Sequence, residues 1–308
     1  MNISRGFSFA FNFDKLKSMT ITLEEVKNYW GKKNIPQQWY SKKEPFTLQW
    51  FNELAFKRYD RYYPHIKKWA EFEYHPGEEV LEVGVGIGTD LVEYAKRGAV
   101  VSGTDLGKDQ VMLTKLNFDL HNLPYKEIKE GNVENLPFPD NSFDVVLCVG
   151  VIHHTPNTQK AVNEIYRVLK PDGEALVLVY ARGWKHYIKR CLIHGLLLGK
   201  WAKRGFDWKK VYSEVSEVHG GAPKTDVYTK SQVKRFFNKF GDVEIQKKRL
   251  GEFFEYRPYN TVKLPNFVQN IFFLLGLEGI LGENWMIRAV KRPFPKEAKF
   301  WEVWFKHY

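Results

Sequence analysis

Three short stretches of this 308-residue chain put chemically capable side chains at informative spacings. In Val80-Leu-Glu-Val-Gly-Val-Gly-Ile-Gly-Thr-Asp90 an apolar run meets glycines at 84, 86 and 88, and Glu82 stands two residues before the first of them. Such glycines let a backbone turn sharply and approach a ligand closely. A nicotinamide- or flavin-binding turn needs glycines at the first, third and sixth positions, and the sixth here is Thr89. A carboxylate at Glu82 suits a cation better than a pyrophosphate, so the expected ligand carries an ammonium group and no phosphate. Asp105 follows Glu82 by 23 residues. That is close to the separation at which an acid accepts both hydroxyls of a ribose, although the same carboxylate can cap a helix that follows it. The adjacent His153 and His154 are candidate general bases, because an imidazole titrating near about 6.5 suits taking a proton from a phenol or an activated carbon. Neighbouring side chains generally diverge, so the two are not read as a metal pair.

To position these groups the chain must alternate strands and helices. Apolar and β-branched runs predict strands over 80–83, 100–104, 125–130, 144–149 and 175–180, with helices between them. Short turns between them predict a parallel sheet covered on both faces, with ligands collecting beyond the carboxyl ends of the strands. The glycine turn, Asp105 and the histidine pair all follow predicted strands. Ahead of this core, Thr22-Leu-Glu-Glu25 fits a capping box and predicts a helix to about Trp30. Trp50, Phe51, Leu54, Phe56 and Tyr59 recur at near-helical spacing across 47–63. Behind the core, Thr229 is placed to cap a last helix, and 243–250 and 285–292 are read as two final strands.

Four segments carry a family resemblance: the E-x-G-x-G-x-G turn, Ser102-Gly-Thr-Asp105-Leu106, Gly131-Asn-Val-Glu-Asn-Leu-Pro-Phe-Pro139, and Asn163-Glu-Ile-Tyr-Arg-Val-Leu-Lys-Pro-Asp-Gly173. With them the region 76–180 resembles class I S-adenosylmethionine-dependent methyltransferases, and among these the ubiquinone/menaquinone-type small-molecule enzymes, including the His-His loop. The resemblance implies an α/β fold: a Rossmann-like, doubly wound, mostly parallel seven-stranded sheet whose last two strands form an antiparallel edge pair. An N-terminal helical lid, expected from the 47–63 helix, and a C-terminal helical and aromatic insertion complete it. The implied domain plan is a helical arm or lid over 1–75 and a methyltransferase domain over 76–308, with substrate-side additions at about 181–228 and 251–283. The implied cofactor is S-adenosylmethionine. Glu82 would hold its methionine amino group beside Gly84, Gly86 and Gly88, and the backbone of Val149 and Gly150 would meet the methionine portion. Asp105 would take the ribose, Leu106 one face of the adenine, and Asn132 and Val133 its edge. Asn132 replaces the family's usual aspartate, and its side-chain oxygen can still accept a hydrogen bond. His154, and with less claim His153, would be catalytic, although a sulfonium is already activated and in-line alignment supplies most of the advantage.

Composition narrows the partners. Two cysteines, Cys148 and Cys191, make no disulfide framework, no Cys/His cluster has metal-ligand spacing, and no stretch reads as a signal peptide or membrane span. A cytoplasmic setting is the expectation, with peripheral membrane contact as an addition to it. Residues 77–180 hold 9 Lys+Arg against 16 Asp+Glu, whereas 181–308 hold 25 against 12. An acidic core suits a cationic cofactor, and the basic half suits anions. Trp184, Tyr187, Ile188, Cys191, Leu192, Gly195, Leu196 and Gly199 form a helical stripe flanked by lysines and arginines. Region 184–204 can therefore lie on an anionic membrane, or pack on the sheet or a partner subunit. Phe267, Phe272, Phe273 and Leu274 in the 253–281 insertion suggest an apolar acceptor pocket, and the alternating tail at 301–308 a further strand or homodimer contact. The expected substrate is a small apolar or aromatic acceptor: a quinone precursor, a lipid or a secondary metabolite. The rivals are RNA methylation through the basic half, against which the missing D/N-P-P-Y/F segment counts, and a catalytically silent cofactor-binding protein.

Overall fold

Val80, Leu81 and Val83 leave β1 (Glu79–Val83) almost no polar surface, and the chain places this strand in the interior of a seven-stranded sheet, third from one edge. The computed structural model describes residues 21–32, 41–183, 192, 194–197, 199–216, 222–248, 252–255, 261–263 and 282–292. Its further strands are β2 (Val100–Asp105), β3 (Glu127–Glu130), β4 (Phe143–Val149), β5 (Leu169–Tyr180), β6 (Asp242–Lys248), β7 (Glu252–Glu255), β8 (Thr261–Lys263) and β9 (Asn284–Val290). The large sheet runs β3-β2-β1-β4-β5-β9-β6, and β7 pairs with β8 in a separate hairpin. The pairings from β3 through β5 are parallel, whereas β9 runs antiparallel to both β5 and β6. This is the expected mostly parallel sheet with an antiparallel edge pair. Strand order reverses at β1, which has β2 on one side and β4 on the other, so a crevice opens above their carboxyl ends.

Helices cover both faces. The described ones are α1 (Leu23–Lys32), α2 (Leu48–Lys57), α3 (Ile66–Ala70), α4 (Thr89–Ala95), α5 (Lys108–His121), α6 (Thr158–Val168), α7 (Lys200–Lys203), α8 (Trp208–Ser216) and α9 (Lys230–Phe236). On one face Val146, Cys148 and Val177 pack with Ile165 of α6 and Val233 of α9. On the other, Val80, Leu147 and Leu176 pack with Ile66 of α3, Leu91 of α4 and Phe118 of α5. Each fully buried aliphatic side chain contributes about 1.5–3 kcal/mol. Thr229 caps α9 in a full capping box with Gln232, as its position predicts.

Two expectations change in detail. β5 begins at Leu169, directly after α6, with a register shift opposite β4, so the Lys-Pro-Asp-Gly turn lies inside the strand. The aromatic helix over 47–63 is a flank and not a cover. Its Trp50, Phe51 and Leu54 are buried with Ile87 and Leu113, and the chain then continues as a π turn, Arg58–Tyr62. The arm at 1–20, the stripe residues Trp184 to Cys191, the insertion's Phe267, Phe272, Phe273 and Leu274, and the tail at 301–308 lie outside the described residues. Among the described residues no helix is long and apolar enough to cross a membrane, and no cluster of three or more His, Cys, Asp or Glu could hold a metal.

Candidate active site

The glycine turn is shaped by neighbours that leave no room for side chains. A Cβ on Gly84, held at φ +78°, would come within 2.2 Å of Val151 Cγ2, so the turn after β1 lies directly against the loop after β4. Gly88 is the N-cap of α4 at φ +75°, and a Cβ there would approach Thr114 Cγ2 to 2.6 Å. Between them the Gly86 N–H donates to Asp105 Oδ2 at 3.0 Å, while Asp105 Oδ1 accepts from Gly107 N at 3.0 Å. Asp105 therefore ties the turn to the start of α5. Burial pushes its carboxyl above the usual range, against the pull of the Gly107, Gly86 and Leu106 N–H groups.

Above this turn lies a cavity of about 240 Å³. Gly84 and Gly86 border it after β1, Asp105 and Leu106 after β2, Asn132 and Val133 after β3, and Val149, Gly150 and His154 after β4. These nine expected site residues thus come together at one end of the sheet. Thr104 in its wall is buried, and its Oγ1 packs against the backbone of Gly131. A crevice of glycine backbone, one acid and apolar walls fits an adenosyl ligand with a cationic end. Asn132 Oδ1 accepts from Glu134 N at 2.9 Å, and its second lone pair is open to a further donor.

Glu82, Gly88 and His153 are not in the cavity wall. Glu82 is buried behind the turn, and its Oε2 has no hydrogen-bond partner. Beside it, Asp90 is clasped by Arg58 Nε at 2.8 Å, by a second and shorter contact from the same guanidinium, and by Tyr59 Oη at 2.8 Å. Burial, then the negative charge of Asp90, pushes the Glu82 carboxyl well up, against the pull of Arg58 and the Leu91 N–H. Glu82 therefore stands behind the cavity and does not contact it directly.

His154 is held by the backbone of a distant segment. Its Nδ1 lies 2.8 Å from the carbonyl of Lys224, which can only accept, so Nδ1 carries the hydrogen and Nε2 is the basic nitrogen. Lys224 Nζ donates in turn to the carbonyls of Thr155 at 2.5 Å and Pro156 at 3.1 Å and pairs with Asp226 at 3.1 Å. From the other side Glu134 accepts from the Thr155 hydroxyl and from Asn157 N. The two histidines do not diverge as adjacent side chains generally do. Their rings meet at 4.1 Å, and His153 is enclosed between His154 and Tyr180, with neither ring nitrogen hydrogen-bonded. Burial, then the neighbouring His154 and Lys224, holds His153 well below the ordinary imidazole range. His153 is fully buried and does not line the cavity, whereas His154 does.

The cavity's cover is the first helix. Leu23, Val26 and Trp30 of α1 line it, and the Trp30 ring lies 4.7 Å from His154. Gln110 Nε2 of α5 donates to the Trp30 carbonyl at 2.7 Å, and Lys27 reaches Glu130 at 3.2 Å. Sequence reasoning missed this docking. The signal was the i, i+3, i+7 spacing of Leu23, Val26 and Trp30 behind the capping box, whose hydrogen bonds between Thr22 and Glu25 are formed.

Residues 81–177 match the family described as "Methyltransferase domain". The chain is 26% identical to phosphoethanolamine N-methyltransferase 2 of Caenorhabditis elegans over 77% of its own length and 52% of that protein. It is 29% identical to ubiquinone biosynthesis O-methyltransferase of Pseudomonas fluorescens, over 50% and 68% respectively. It spans about half the length of the first curated relatives it matches. The solved structure of the YcgJ protein of Bacillus subtilis superposes with a TM-score of 0.50 at 19% identity, covering 72% of this chain and 96% of that one, a likeness of fold. The matched residues span the glycine turn, Asp105 and the histidine loop, the parts that build the cavity, and so residues 81–177 form a methyltransferase domain of the class I S-adenosylmethionine-dependent kind, for which the cofactor is S-adenosylmethionine.

Proposed function

We propose that the chain transfers the methyl group of S-adenosylmethionine to a small apolar or aromatic acceptor held between α1 and the histidine loop. The observation that carries this reading is the contact of Trp30 with His154 across the cavity that Asp105 and the glycine turn border. The cofactor supplies an electrophilic methyl on a sulfonium. In this reading Asp105 and Leu106 hold the ribose and adenine with Asn132 and Val133. The backbone at Gly84, Gly86, Val149 and Gly150 holds the methionine part. Trp30, Val26 and Leu23 exclude water and present an apolar wall that suits a flat acceptor. His154, with Nδ1 anchored on Lys224, presents Nε2 as the base for an acceptor that must lose a proton.

The test is incubation of purified protein with methyl-labelled S-adenosylmethionine and an acceptor panel containing catechols, quinols, fatty acids and ethanolamine phosphate. Label entering the organic phase supports the reading. Label confined to ethanolamine phosphate or another polar acceptor overturns the apolar part, and cofactor binding with no turnover on any acceptor overturns the transfer itself. For a phenolic acceptor, His154→Ala is expected to lower kcat by about 10²–10⁴-fold while cofactor affinity stays within about twofold.

A further inference from the structure

A second surface, apart from the cavity, joins exposed apolar side chains to a concentration of positive charge. Leu192, Leu196, Leu197 and Phe206 are 45%, 47%, 72% and 57% exposed. Their arrangement is built from beneath. A Cβ on Gly195 would come within 2.4 Å of the Trp208 ring, so this stretch rests on the indole while the leucines on either side face water. Trp208 stacks on Trp201 at 4.9 Å and 13°, and Trp201 meets Phe206 edge-on at 4.8 Å. Phe206 itself is held at φ +62°, directly after Gly205 at φ +64°. A left-handed position is strained for a bulky side chain, and a chain that only had to turn there would use glycine or asparagine. At this position the ring packs edge-on against Trp201 on one side and is open to water on the other.

The described residues from 192 to 210 include five cations, Lys200, Lys203, Arg204, Lys209 and Lys210, and one acid, Asp207. Asp207 is turned onto backbone, accepting from Lys209 N at 2.9 Å and Lys210 N at 3.3 Å at the start of α8. Lys203, Lys209 and Lys210 are exposed, and Asp207 is engaged with backbone N–H groups and not with their ammonium groups. Helix α8 also connects the patch to the active site. Ser213 Oγ accepts from Thr225 N at 2.9 Å, and Thr225 Oγ1 lies 3.4 Å from His154 Nδ1.

We infer that this surface docks on an anionic lipid bilayer, with the leucines and Phe206 entering the acyl boundary and the lysines meeting the head groups. Both chemistries are needed to identify the partner. An RNA would use the charge and leave three leucines and a phenylalanine in water, whereas an apolar protein groove would bury those side chains beside uncompensated lysines. A bilayer bearing negative lipids satisfies both at once. This goes beyond the proposed methyl transfer and does not depend on it, because docking is read without turnover.

The experiment is co-sedimentation of the full chain with vesicles of phosphatidylcholine alone or mixed with phosphatidylglycerol, at low and high salt. Binding to the mixed vesicles is expected to exceed binding to phosphatidylcholine by at least about tenfold and to weaken with salt. Leu196→Glu with Leu197→Glu, and separately Lys209→Glu with Lys210→Glu, should each reduce it by about tenfold or more. Phe206→Gly relieves the left-handed strain, so it should keep the fold and still lower vesicle binding severalfold. Calorimetric titration with S-adenosylmethionine shows whether each variant remains folded. Absence of binding to the mixed vesicles, undiminished binding of the folded leucine variant, or tighter binding to polyuridylate than to mixed vesicles would overturn the inference.

Discussion

Glu82 is the residue whose environment departs most from its sequence reading. Its place two residues before the glycines suggested a direct partner for an ammonium group, but the fold gives it a buried seat beside Asp90, with one oxygen lacking a partner. A carboxyl raised by burial makes the folded chain hold a proton that the unfolded chain has released. Its stabilising contribution is complete below the unfolded value near 4.5 and is lost as pH rises through the raised folded value. Glu82→Gln removes that liability. At neutral and mildly alkaline pH the variant without cofactor should be more stable than the parent by about 1–3 kcal/mol, and the difference should shrink as pH falls toward the ordinary carboxylate range. Urea unfolding across pH measures this. A variant less stable at every pH would mean that the hydrogen bond from the Leu91 N–H outweighs the unpaired charge. Because the buried carboxyl is already held in its neutral form, the same substitution should leave cofactor affinity by calorimetry within about twofold.

At the scale of elements, the sequence was explicit about local starts and silent about neighbours. The capping boxes at Thr22 and Thr229 and the glycine turn are legible because their partners lie within a few residues. Which helix covers the cavity was not legible. Leu23, Val26 and Trp30 form one apolar face and so do Trp50, Phe51 and Leu54, and neither spacing says what will meet that face. Lys224 and Glu134 were invisible for the same reason, since their work on the histidine loop is done on backbone groups distant in the chain or across a neighbouring loop. The motif around Arg167 was legible as a pattern without its purpose. Its guanidinium donates to the carbonyls of Leu136 at 2.9 Å and Phe138 at 2.8 Å and pairs with Glu164, fixing the loop that carries Asn132 and Val133. The lid assignment yields a sharp expectation. Thr22→Ala removes the cap of a ten-residue helix, a loss of about 1 kcal/mol. Cofactor affinity by calorimetry should fall about fivefold. The melting temperature without ligand should scarcely move, since α1 adds little to the central core.

Across the whole molecule, stability and ligand access are assigned to different parts of the chain. Strands β1, β4, β5 and β9 hold side chains with no exposure, such as Leu81, Val146, Val177 and Ile287, and both sheet faces are covered by helices. The cavity instead is closed from outside by α1, whose described contacts include three apolar side chains, the Trp30–His154 ring contact, a hydrogen bond from Gln110 and an exposed ion pair, Lys27 with Glu130. An exposed pair of that kind contributes little. The sheet should therefore open only in global unfolding, and α1 should open far more readily on its own. Amide hydrogen exchange reads both in one experiment. Without ligand, the amides of β1, β4, β5 and β9 should exchange slowest and those of α1 among the fastest of the described helices. Adding S-adenosylmethionine should slow α1 by about tenfold or more while α9, on the opposite face and away from the cavity, changes little. Equal slowing of α1 and α9 would mean that the ligand stabilises the fold as one unit, and the lid would then have no separate existence. Slowing confined to α1 and the loops after β1, β2 and β4 would identify the first helix as the element that opens to admit the cofactor and closes before transfer.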